Sequence, residues 1–173
     1  MSGNLIIYFS RKGQNYFSGD IRSIDKGNTE YVAEFIRDAV GGDLFEIVRE
    51  KPYPDNYKQC CNEAYSELNA EARPELSEYL DSADGYDRIF VCGPCWCGTY
   101  PMPVFAQLDR LDLAGKKVFP VMTHEGSGFG NSVKDLKRLY PDAVFGECLT
   151  VTGGSAAASR SVVTDWAKRA VQN

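Results

Sequence analysis

Five short apolar runs, each separated from the next by a polar or helical stretch, constrain this chain more than any other feature. They are "NLIIYF" (residues 4–9), "LFEIV" (44–48), "RIFVCG" (88–93), "KVFPVMT" (117–123) and "AVFGECLTV" (143–151). Short runs rich in β-branched and aromatic residues read as strands covered on both faces. After the first run, Val32, Ala33, Phe35, Ile36, Ala39 and Val40 recur at helical spacing, with Asn28 or Thr29 as N-cap and Gly41-Gly42 as the stop. Similar spacing predicts helices over 56–82, with a break near Pro74, and over 103–111, 130–140 and 155–172. Five strands alternating with five helices imply crossover connections and a parallel sheet with helices on both faces.

The 173 residues suit one domain, 1–173, large enough to bury a core without metal or disulfide support. No run reaches the roughly 18 apolar residues of a membrane helix, and no basic-then-apolar leader opens the chain, so a soluble, cytoplasmic protein is expected. Six cysteines are too few and too unevenly placed for a disulfide scaffold and read as free thiols. Nineteen basic against twenty-four acidic residues leave a net charge of −5, which argues against nucleic acid and suits partners with basic docking surfaces. Oligomeric state is not encoded in these features.

In a parallel sheet of this kind, ligands bind outside the carboxyl ends of the strands where the strand order reverses. The loops to inspect follow the first, third and fourth strands. After the first comes Ser10, and after a long insert come Gly27, Asn28 and Thr29, leading into the first helix. Small, amide and hydroxyl residues at a helix start read either as a plain N-cap or as a neutral anion cradle. Neither G-x-x-x-x-G-K-[ST] nor G-x-G-x-x-G occurs, which removes the nucleotide-hydrolysing P-loop and the dinucleotide fingerprint.

With "FSR" at 9–11, the delayed "GNT" at 27–29, "PCWCGTYPMP" at 94–103 and "THEGSGFG" at 123–130, the chain resembles the flavodoxin-like family across nearly its whole length. The resemblance implies a three-layer αβα sandwich, with a five-stranded parallel sheet in the order 2-1-3-4-5, and FMN as cofactor. Ser10, Arg11, Gly27, Asn28 and Thr29 then match the phosphate loop. Residues 12–26 stand as an insertion, with Lys26 where the family pattern has a threonine. The insert, carrying Lys12, Arg22 and Lys26, either folds over the phosphate or presents a partner surface.

A flavin ring needs an aromatic or apolar wall and backbone groups at its polar edge. Pro94, Cys95, Trp96, Cys97 and Gly98 are the candidates, with Trp96 as the wall and Cys97 where related sequences often carry a second tryptophan. Gly98 would let a backbone carbonyl turn toward the ring. Glu125, Gly126, Ser127 and Gly128 would line the pyrimidine edge, where the Glu125 charge would lower the reduction potential; the alternative is a flexible loop ending in a helix cap.

Other chemistries find less support. Cys92, Cys95 and Cys97 lack a second ligand cluster, so no metal site is expected. A dithiol at Cys95 and Cys97 stays open beside simple packing, whereas Cys92, inside a strand, reads as a small buried hydrophobe. His124 has no nucleophile beside it in sequence and reads as a solvated or capping group; Trp166 reads as core. The resulting expectation is an electron carrier serving redox partner proteins rather than a self-contained enzyme. The alternatives are an FMN-dependent NAD(P)H:quinone-type reductase and a non-redox phosphate- or protein-binding member of the fold.

Overall fold

The computed structural model describes residues 3–173. Strand β1 (Gly3–Tyr8) is the second strand of the sheet, flanked by β4 (Asp43–Glu46) and β5 (Tyr86–Pro94), with β6 (Lys117–His124) beyond β5, all parallel. Its side chains alternate in burial direction. Leu5 and Ile7 join Ile89, Val91 and the residues of helix α3 (Met102–Leu108). Ile6 and Tyr8 join Phe90 and Cys92 under helices α1 (Asn28–Val40) and α5 (Arg160–Ala170). A period of two on a strand buried on both sides thus makes two apolar layers from one continuous apolar run. Trp166 is in the second layer, edge-on to Phe90 and Phe119. Helices α2 (Tyr57–Asn69) and α4 (Ser132–Leu139) complete the three-layer sandwich.

The sheet follows the expected order 2-1-3-4-5, with its last member split. On the side of β6 away from β5, β7 (Val144–Phe145) pairs with Lys117–Val118 and β8 (Leu149–Thr152) with Val121–His124. The gap falls opposite Phe119 and Pro120. Val118 accepts from the Gly146 N–H (2.9 Å), so alternate residues of β6 turn their backbone toward the last strand. Pro120 belongs to that set and has no N–H to give. Gly146 lies against the Phe119 ring so closely that a Cβ there would stand 2.7 Å from Cδ1.

Two further expectations change. The helix predicted over 56–82 ends at Asn69, after which Glu71 has φ +47° and residues 70–85 run without helix. Pro74 disfavours a helical residue before it, and this segment bonds elsewhere: Glu50 N–H to the Glu75 carbonyl and Ser77 N–H to the Val48 carbonyl. Gln107 then holds both backbone groups of Leu80. The helix predicted over 155–172 begins as a 3-10 helix, Gly153–Ala158, before α5.

The insert is a β-hairpin. Strands β2 (Gly13–Phe17) and β3 (Asp20–Ile24) pair antiparallel through Ser18 and Gly19, both at positive φ (46° and 103°), as a two-residue primed turn requires. Arg11 clamps its base: Nε donates to the Gln14 carbonyl (2.9 Å), Nη2 to those of Pro54 (3.0 Å) and Asp55 (2.9 Å). The Gln14 side chain in turn accepts the Tyr57 N–H (2.8 Å). No helix among the described residues is long and apolar enough to cross a membrane.

Candidate functional site

A cleft of about 250 Å³ opens at the carboxyl ends of β5 and β6, beside the N-terminus of α1. This is where the order reverses, because the chain leaves β1 toward β4 on one side and β5 lies on the other. Of the residues picked out in the sequence, Asn28, Pro94, Cys95, Trp96, Glu125 and Ser127 line it.

At the helix end, Gly27 is the N-cap and offers no side-chain bond to the first turn. Its lack of a side chain is needed: a Cβ there would collide with Ser10 Oγ and stand 2.9 Å from the Arg11 carbonyl oxygen. Ser10 Oγ accepts the Glu30 N–H (3.1 Å), and the buried Thr29 shares a hydroxyl bond with Thr123 (2.8 Å). Ser10, Gly27 and Thr29 therefore shape the helix start from beneath the cleft, and Gly27 supplies no side-chain acceptor to the first-turn N–H groups of α1. Arg11 spends its guanidinium on the hairpin and the 54–55 turn, and Lys26 pairs with Glu34 over the Tyr31 ring.

At the other end, Trp96 is held edge-on by Phe9 (centroids 5.1 Å) and Tyr53 (5.0 Å). Tyr53 is itself fixed, its hydroxyl donating to Glu67 and the Arg49 guanidinium 4.3 Å above its ring, while Arg49 pairs with Glu67 (2.8 Å). Burial pushes the Tyr53 phenol far up and raises Glu67 as well. The indole is thus a positioned wall rather than a free rotor.

Residues 96–99 form a tight turn. Trp96 and Thr99 exchange both backbone hydrogen bonds (2.8 and 3.2 Å), and Cys97 (φ +54°) and Gly98 (φ +84°) occupy its left-handed centre. The turn aims Cys97 away from the cleft, into two neighbouring pockets. The Gly98 carbonyl already accepts the Asn131 N–H at 2.6 Å, so turning it toward a ring would cost that bond. Gly126 and Gly128 do not line the cleft; Glu125 does, with Oε1 accepting the Gly154 N–H (2.8 Å).

The structure adds residues that the sequence did not point to, Asn15 and Tyr16 from the hairpin, Tyr57 from α2 and Gly153, and places Thr123 and His124 at the end of β6 in the lining as well. Tyr16 and Tyr57 stack nearly parallel (23°, centroids 6.4 Å). His124 Nδ1 accepts the Gly126 N–H (2.9 Å), a capping role. Two hydrophobic-flanked strands separated by "SG" carried the hairpin signal for Asn15 and Tyr16; no local signal marks Tyr57.

The sequence profile of the flavodoxin family, described as "Flavodoxin", matches residues 14–170. The chain belongs to the flavodoxin family. Among solved structures, a candidate flavoprotein from Bacteroides uniformis is 28% identical, with a TM-score of 0.78, over 96% of this chain and 98% of the other. A second, from Bacteroides eggerthii, is also 28% identical, with a TM-score of 0.71, over 94% and 98%. A Lactobacillus acidophilus flavoprotein solved with FMN shares the fold at 18% identity and a TM-score of 0.66, over 95% of this flavodoxin and 99% of its own length. A search of curated proteins finds no match.

Proposed function

We propose that this flavodoxin binds FMN in the 250 Å³ cleft and carries electrons between partner proteins. The observation that supports this most is the polarity of the cleft: uncapped helix N–H groups at one end and a braced indole at the other, at the strand-order reversal. Asn28 and Thr29 would hold the phosphate through backbone N–H groups, with the helix dipole supplying positive potential without a cation. Trp96 would stack on one face of the ring, while Tyr16 brings the hairpin edge over the cleft and limits water access. Glu125, fixed by Gly154, would place negative charge near the ring and oppose further charging on reduction. FMN would supply one-electron and two-electron redox chemistry.

The acidic surplus of five (24 acidic less 19 basic) favours weak, salt-sensitive encounters with basic partner surfaces. Titration of the apoprotein with FMN, followed by visible absorbance and Trp96 fluorescence, tests the reading. Uptake is expected to weaken by about tenfold or more in Trp96→Ala. A protein that takes up no flavin refutes the reading, and steady NAD(P)H oxidation without a partner would point to a reductase instead.

A further inference from the structure

Four of the six cysteines line one pocket. Cys60 and Cys61, from the first turns of α2, and Cys95 and Cys97, from the segment after β5, line a single pocket of about 80 Å³ behind Trp96. More than thirty residues of sequence separate the two pairs. The cluster is not arranged for an ion: no group of three or more His, Cys, Asp or Glu among the described residues is placed to hold one.

The four thiols differ in access and restraint. Cys60 is buried, and burial pushes it up to about 11. Cys95 is half-buried in a backbone fixed by its N–H bond to the Thr123 carbonyl (2.9 Å). Its link to Cys97 would close across Trp96 alone and would have to deform the tight turn. Cys97 is exposed at the turn's left-handed position, and its side chain enters the pocket that Cys61 also lines. Cys61 stands one helical turn from Tyr57, whose hydroxyl it meets.

We propose that Cys97 and Cys61 form a hydroperoxide-sensitive pair that closes to a disulfide and ties α2 to the Trp96 turn. The Cys97 thiolate attacks a peroxide oxygen. The O–O bond breaks, Cys97 becomes a sulfenic acid, and the departing hydroxide takes a proton to leave as water. The Cys61 thiolate then attacks the Cys97 sulfur, the S–O bond breaks with protonation of its oxygen, and a second water leaves as the S–S bond forms. The two thiols give up two electrons, which reduce the peroxide. Burial, followed by the nearby Cys61 and Cys95 charges, raises the Cys97 thiol, so the first step accelerates as pH rises from neutral into the alkaline range.

The bond would join two walls of the cleft, because Tyr57 and Trp96 belong to the segments it connects. That consequence alone rests on the FMN reading. Purified full-length protein treated with hydrogen peroxide is expected to lose one pair of titratable thiols under denaturing conditions. Non-reducing peptide mapping should find the 61–97 link, and dithiothreitol should restore the thiols. Cys61→Ser should stop at a sulfenic acid trapped by dimedone, and Cys97→Ser should keep its thiol titre. A 95–97 link, an unchanged titre in the parent, or a full pair lost from Cys61→Ser would each overturn the proposal. If FMN binds, its affinity should fall about tenfold on oxidation and recover on reduction; the thiol readings stand even for a protein that takes up no flavin.

Discussion

Gly27 and Glu46 show how single positions set the helix end of the cleft and its surroundings. Any side chain at 27 invades Ser10 Oγ and the Arg11 carbonyl, so Gly27→Ala should displace the Ser10 bond to the Glu30 N–H and open the first turn of α1. A stability loss of about 1–3 kcal/mol is expected from urea unfolding, with FMN uptake reduced in parallel. Glu46 has its carboxyl raised above the ordinary range by burial and then by the Glu30 charge, against the pull of Lys12 and of the Tyr8 hydroxyl. A raised folded-state value means that the native protein holds the proton more tightly than the unfolded chain. This contribution to stability is present below the ordinary carboxyl pKa and is lost as pH rises through the folded value. Glu46→Gln should therefore flatten the fall in urea midpoint between mildly acidic and neutral pH, with a gain at neutrality held to roughly a few tenths of a kcal/mol by solvent screening.

The hairpin β2–β3 is the element on which the shape of the site most depends and the core least. Phe17 is its buried apolar residue, whereas Tyr16 and Ile21 are exposed. What fixes it is the Arg11 guanidinium and the Gln14 bond to Tyr57. Arg11→Ala should free it: cleavage within residues 12–26 by a limiting protease should accelerate and FMN uptake should weaken several-fold. The global unfolding midpoint should move by less than about 1 kcal/mol in free-energy terms. The split last strand is the opposite case, an irregularity written into the core by Pro120 and by the contact of Gly146 with Phe119. "KVFPVMT" announces it, since a proline inside a central strand must leave one bond unmade.

For the whole molecule, the two apolar layers share one sheet, so unfolding should be a single cooperative transition. A ligand that binds only the native state raises that transition by mass action. FMN at about a hundredfold excess over its Kd should add ~2.7 kcal/mol, read as a concentration-dependent rise in Tm; a Tm indifferent to FMN would contradict the cofactor reading.

Strand and helix alternation and the loops at the carboxyl ends were legible because period-two and period-3.6 apolar patterns and Gly or Pro breaks are local properties of the chain, whereas the order 2-1-3-4-5 came from the family resemblance. Trp96, Asn28 and Glu125 could be picked out for the same reason: each follows a recognisable strand or opens a recognisable helix. The end of α2 at Asn69 was not legible, since residues 70–80 are held by Val48, Glu50 and Gln107 rather than by their own spacing. Nor was the placement of Tyr16 and Tyr57 at the cleft, or the sharing of one pocket by Cys61 and Cys97. These depend on where packing sets one segment against another, and no residue carries the address of a partner that lies tens of positions away. The sequence by itself determined the layers and the end of the sheet where a ligand would bind; the tertiary structure alone decided which side chains from distant segments close the cleft and which thiols share a pocket.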